Sequence, residues 1–112
     1  GARQWVLLEA ENIATSSYVD ITASAVSGYS SDTSAVATTL SADTLVVGVT
    51  SFSTSQTISS LNWTQIGANQ DMSTTRCAYF QGQESATGSK DSQGTLSGNT
   101  GWETIWVAYK SA

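Results

Sequence analysis

The chain contains no His and no Pro, a single Cys, a single Met, and only four basic residues against nine acidic ones. Each shortage excludes something. Without His, the commonest proton shuttle and the commonest transition-metal ligand are missing, so most hydrolase and zinc mechanisms are out of reach. Cys77 alone forms neither a thiolate cage nor an internal disulfide. A net charge of −5 repels a phosphate backbone, and Arg3, Arg76, Lys90 and Lys110 are scattered along the chain. That pattern argues against nucleic acid and against an anionic membrane as partners. Charged residues make up 12% of the chain, too few to clothe the exposed faces of a helical bundle. No apolar run is long enough to span a bilayer or to serve as a signal sequence, and the chain opens Gly-Ala-Arg without Met. The sequence therefore reads as mature, processed or excised from something longer.

What remains is rich in Ser and Thr, 35 positions together, with four Trp, four Tyr and two Phe to build a core. The aromatics argue against disorder. A chain of 112 residues is read as one domain, residues 1–112, burying roughly two-thirds of its extended surface without a metal or disulfide staple.

Apolar residues alternate with polar ones in short runs, separated by Ser, Thr, Gly, Asn and Asp, and this period of two predicts strands. The first predicted strand covers residues 4–11 and the second 18–22, where Val19 and Ile21 share a face. Residues 23–33 (ASAVSGYSSDT) are small and polar and read as a long loop with room for a short helical turn. Pairing should resume over 34–40. Residues 43–52 (DTLVVGVTSF) are the strongest strand signal, with Leu45, Val47 and Val49 on one face and Val46, Gly48, Thr50 and Phe52 on the other, which predicts a central strand. Further strands are expected over 57–66 and 74–83, with a hairpin-type loop at 67–73 where Gly67 and Asn69 tolerate positive φ. Residues 84–101 hold four Gly and read as loop, with a brief strand at Thr95 and Leu96. The last strand, 102–110, sets Trp102, Thr104, Trp106 and Ala108 against Glu103, Ile105, Val107 and Tyr109, and should dock inside a sheet. Seven or eight such strands without an amphipathic helix predict an all-β, two-sheet antiparallel sandwich, jelly-roll-like. With Lys so scarce and Pro absent, its edges are expected to be protected by partner subunits.

From about Ser34 onward, the strand LSADTLVVGVTSF (40–52), the segment ISSLNWTQIG (58–67), the run CAYFQG (77–82), the Gly/Ser-rich stretch after it and the closing IWVAYKSA (105–112) follow one another in a telling order. This order resembles a family of small β-sandwich modules of phage structural proteins and bacterial secreted surface proteins. Its Leu-x-Trp-Thr strand is matched here by Leu61, Trp63 and Thr64. The opening WVLLEAENIATSSYVDIT (5–22) is similar to openings of phage tail and virion proteins. The resemblance implies a β-sandwich on a virion or cell surface, with Trp63 in the core, and transfers no catalytic or ligand-binding residue.

Candidate chemistry is sparse. Glu9 and Glu11 share a predicted strand face too closely to flank a glycosidic bond. Asp32, Asp43, Asp71 and Asp91 fall in predicted loops, but no dense Asp-x-Asp run marks a calcium site, and turn capping is the simpler role. Cys77, lacking a neighbouring base, reads as a buried structural thiol. Asn62-Trp63-Thr64 fits a glycosylation acceptor, a triplet common by chance, and GTLSGNTG (94–101) lacks the Lys and helix of a phosphate loop. No catalytic, cofactor or metal residue is assigned. Trp102 and Trp106, with Cα atoms about 13 Å apart on one strand face, would suit a saccharide platform, although core or subunit interface is the commoner fate of such Trp. Tyr109 and Trp5 complete the set of candidate ligand or interface residues, Trp5 as a chain-end anchor or partner contact.

The expectation is a non-enzymatic structural protein of a phage particle, either capsid decoration or a tail or head fibre component. It would lie on the virion surface and contact other virion proteins and copies of itself, a homotrimer included. The alternative is a carbohydrate-binding module or adhesion repeat of an extracellular bacterial protein that meets cell-surface glycan.

Overall fold

Strands along this chain pair in reverse order, first with last and inward from both ends. In the computed structural model, which describes residues 8–112 except the side chains of 22–24, β1 (Val19–Thr33) pairs with β9 (Gly94–Lys110). Next, β2 (Val36–Thr39) pairs with β8 (Gly88–Asp91), and β3 (Thr44–Ser53) with β7 (Thr75–Glu84). Partners run from Val19↔Tyr109 through Thr33↔Gly94, Val36↔Asp91 and Thr44↔Glu84 to Ser53↔Thr75. The molecule is thus one long antiparallel ribbon, and rolling that ribbon up brings β3 against β9. The outcome is the jelly-roll form of the two-sheet antiparallel sandwich read from the sequence.

The two layers are unequal. Among the described residues, the large sheet has seven strands, ordered β1-β9-β3-β7-β5, with β4 (Ile58–Ser59) added to β9 and β6 (Gln70–Met72) to β7, while β2 and β8 form the second sheet. β5 is only Thr64–Gln65. As its two apolar faces required, β3 is central, flanked by β7 and β9.

Even-numbered residues of β3 and β9 face the interior and supply much of the core. Val46, Phe80, Trp106, Ala108, Ala35 and Trp63 make one cluster, and Phe52, Ala78 and Leu96 a second. Thr50 and Thr104, cross-strand partners, sit buried among the inward-facing residues and share a 2.7 Å hydrogen bond. Trp63 stacks on Phe80 at 5.6 Å and meets Trp106 edge-on at 5.2 Å.

Five sequence expectations change. Residues 23–33 are not a loop but most of β1, and 84–101 contain β8 and the first half of β9, so each supplies the partner that the other lacks in isolation. Small side chains belong there because Gly28 faces Trp102, whose ring lies where a Cβ would stand, 2.7 Å away. The expected strand over 57–66 breaks into two short pieces, because Ser60 takes a positive φ and the chain turns to place Trp63 in the core. In the expected hairpin loop, Gly67 has positive φ as read, but Asn69 does not and residues 70–72 form β6. Of the expected first strand, residues 4–7 lie outside the described residues, and 8–11 belong to no strand.

Candidate interaction surface

The aromatic candidates part company according to the face of β9 on which they stand. Trp106 is on the inner face, 1% exposed, and its indole Nε1–H donates to the Ala35 carbonyl at 2.8 Å. That bond ties the large sheet to the residue just before β2 and leaves no ring surface for a sugar. Trp102, also on the inner face, is half-buried, lies over Gly28 and donates from Nε1 to Ser30 Oγ at 3.1 Å. On the opposite face, the strand at Trp102 borders a shallow hollow with Ser51, Ser53, Thr74, Thr75 and Glu103. A two-Trp saccharide platform on this strand is therefore absent, because both rings turn toward the interior. Trp5 lies outside the described residues.

Tyr109 is different. It stands on the outer face of the large sheet, half-buried, with its ring 6.4 Å from that of Tyr18 and the two planes 20° apart. Leu8, Ala10, Ile13, Leu45 and Val47 complete the trough around this pair. The Ile13–Ser111 bridge and the hydrogen bonds Ala14 N to Lys110 O (3.0 Å) and Ala112 N to Asn12 O (2.6 Å) hold the amino-terminal arm against that end of the sheet.

Beyond the arm the same face stays apolar and open. Val47, Val49, Tyr79, Ile105 and Val107 line a second concavity that shares Val47 with the trough, and Ile105 is 39% exposed. None of these residues carries a formal charge at neutral pH. Nothing in the sequence singled this strip out, yet a signal was there: odd positions 45, 47 and 49 are as apolar as the even ones, and a strand apolar on both faces asks for cover on both.

The acidic candidates do not converge. Arg76 donates from Nε and Nη2 to the two Asp71 oxygens at 2.7 and 3.0 Å, and from Nη1 to the Gln56 carbonyl at 3.0 Å. Those bonds hold the Asp71 carboxyl below the usual range. Asp91 accepts from Ser34 Oγ at 2.7 Å. Glu84 accepts from Trp63 Nε1 at 2.8 Å and lies 3.4 Å from Lys90 Nζ. Glu11 and Asp43 border a cleft with Gln83 and Ser85, while Glu9 is exposed. Among the described residues, no three His, Cys, Asp or Glu side chains gather to hold a metal ion. Cys77 is buried, and burial pushes its thiol up.

No family model, curated protein or solved structure matches this chain.

Proposed function

We propose that the protein is a non-enzymatic structural subunit of a phage particle, set on the virion surface as capsid decoration or as part of a tail or head fibre. The observation that carries this reading is the uncharged strip of Val47, Val49, Tyr79, Ile105 and Val107 on the outer face of the large sheet. A soluble acidic domain with so few charges gains by burying such a strip against neighbouring virion proteins, and repetition of weak contacts around a particle supplies avidity. The resemblance of the 40–52, 58–67 and 105–112 segments to phage and surface modules points the same way. The test is to probe purified particles with antibodies against the chain, and to compare incorporation of the natural protein with Val49→Lys and Ile105→Lys. Labelled particles, and lysine variants that fold but are not incorporated, are the expected result. Particles without the chain overturn the reading.

A second reading, a carbohydrate-binding module or adhesion repeat, draws on the shallow polar hollow that Ser51, Ser53, Thr74, Thr75 and Glu103 form beside the strand at Trp102. Titration with soluble polysaccharides under tryptophan fluorescence decides it. A saturable shift that oligosaccharide reverses and Trp102→Ala abolishes establishes glycan recognition, and a flat response across the panel removes it.

A further inference from the structure

Most open strand edges in this molecule are short or carry charge. β5 has two residues, β6 three with Asp71 among them, and β8 four with Lys90 and Asp91. β2, the partner of β8, has four. Shortness and charge are the ordinary means of keeping a sheet edge from pairing with another chain.

β1 has neither defence. It is fifteen residues long and forms the margin of the large sheet, and among the described residues only β9 pairs with it, on one side. Between Asp20 and Asp32 it holds no charged residue and no Pro. Its irregularities fall at Val19/Ile21, Ala23/Val26 and Ser30/Asp32, which leaves an unbroken ladder from Val26↔Thr104 to Ser30↔Thr100. Along that ladder Val26 is 37% and Tyr29 77% exposed. The free margin therefore presents five residues of regular extended backbone, uncharged, with exposed apolar side chains on it.

We propose that residues 26–30 of β1 pair antiparallel with the same residues of a second copy of this chain, joining two large sheets into one across a two-fold axis. A second copy is the occupant because antiparallel self-pairing is closed and isologous: over the paired stretch each edge satisfies the other. Charge fits as well. Copies of a chain with net charge −5 repel one another, and this is the stretch of margin where they approach without facing acids. A dyad at Gly28 sets Val26 opposite Ser30 and Ser27 opposite Tyr29, and keeps the Asp20 and Asp32 carboxylates of the two copies from facing each other. The proposal deepens the structural-subunit reading and leans on it only for the biological setting.

The experiment is sedimentation velocity on the full chain from micromolar to millimolar concentration, repeated on Ser27→Lys/Tyr29→Lys, which places lysines opposite one another across the dyad. Both positions are exposed, so thermal unfolding of this variant should match the natural protein. A concentration-dependent dimer whose dissociation constant rises by about tenfold or more in the lysine variant is the expected result. In parallel, a mixture of Ser27→Cys and Tyr29→Cys proteins should oxidise to a disulfide-linked dimer, and Val49→Cys on the outer face should not. A monomer at every concentration, a dimer indifferent to the lysines, or cross-linking through Val49 instead overturns the pairing. A monomer that is nevertheless found on particles sinks only the pairing, whereas an edge-paired dimer absent from particles sinks only the phage reading.

Discussion

Gly48 and Phe80 face each other across the β3·β7 ladder so closely that a Cβ on residue 48 would stand 2.5 Å from Phe80 Cζ. The same Cβ would lie 2.6 Å from the Ile105 carbonyl oxygen, which is backbone and cannot swing away. Gly82 repeats the arrangement with Trp63, at 2.1 Å from its Cδ1. The aromatic core is seated on glycines, each giving a ring the space of a missing side chain.

Gly48→Ala is therefore expected to destabilise the fold by about 1–3 kcal/mol, the usual cost of overpacking. Gly101→Ala is the control: nothing lies within 4 Å of its Cβ, and the change should be close to neutral. Urea unfolding of the two variants beside the natural protein checks both.

The hydroxyls of Thr50 and Thr104 satisfy each other in the core at 2.7 Å. Either single change to Val strands a buried hydroxyl and should cost about 1–3 kcal/mol, while the double change should cost far less than the two added together. Thr44 offers the opposite case, since its Oγ1 is buried with no partner. Thr44→Val removes an unsatisfied group and should raise stability by about 1 kcal/mol. Chemical denaturation of the four variants measures both effects.

Trp106→Phe keeps most of the apolar volume but leaves the buried Ala35 carbonyl without its indole donor. That carbonyl still accepts from the Ser92 amide at 3.2 Å, so losing the indole bond should cost about 0.5–1.5 kcal/mol, with a further loss from the cavity. Trp102→Phe, at a half-buried position whose partner is the Ser30 hydroxyl, should cost less. Thermal unfolding of the two variants compares them directly.

Acid should weaken the fold through Asp20. Burial pushes its carboxyl up, but the Leu40 amide, which donates to Oδ2 at 2.7 Å, together with the neighbouring Ser41 and the Lys110 charge, outweighs burial and leaves it below its ordinary value of 3.8. A carboxylate depressed in the folded state adds stability above the unfolded value, and that contribution is lost as pH falls through the lower folded one. Stability measured from pH 6 down to pH 2 should fall through this window, and more gently in Asp20→Asn. Equal slopes in the two proteins would remove Asp20 from the account.

How much of this was legible in the residues varies by segment. The alternation over 43–52 and 102–110 identified β3 as central and placed Trp102 and Trp106 on one face, because a period of two is a local property that a strand carries wherever it packs. Alternation alone does not say which face meets the second sheet. The inward turn of Trp106 was settled by Ala35 and Trp63, residues 71 and 43 positions away in the chain.

The sequence by itself determined the all-β class and the central strand, since these follow from composition and local period. Tertiary structure alone decided that ASAVSGYSSDT and the Gly-rich 94–101 stretch are strands. Small, polar side chains carry no local β signal, and these two stretches become extended because each backbone finds the other's hydrogen bonds while Gly28 makes room for Trp102. Among the described residues, the ribbon's long-range pairing also left uncovered one apolar strip, on which the proposed function rests, and one uncharged margin, on which the proposed self-pairing rests.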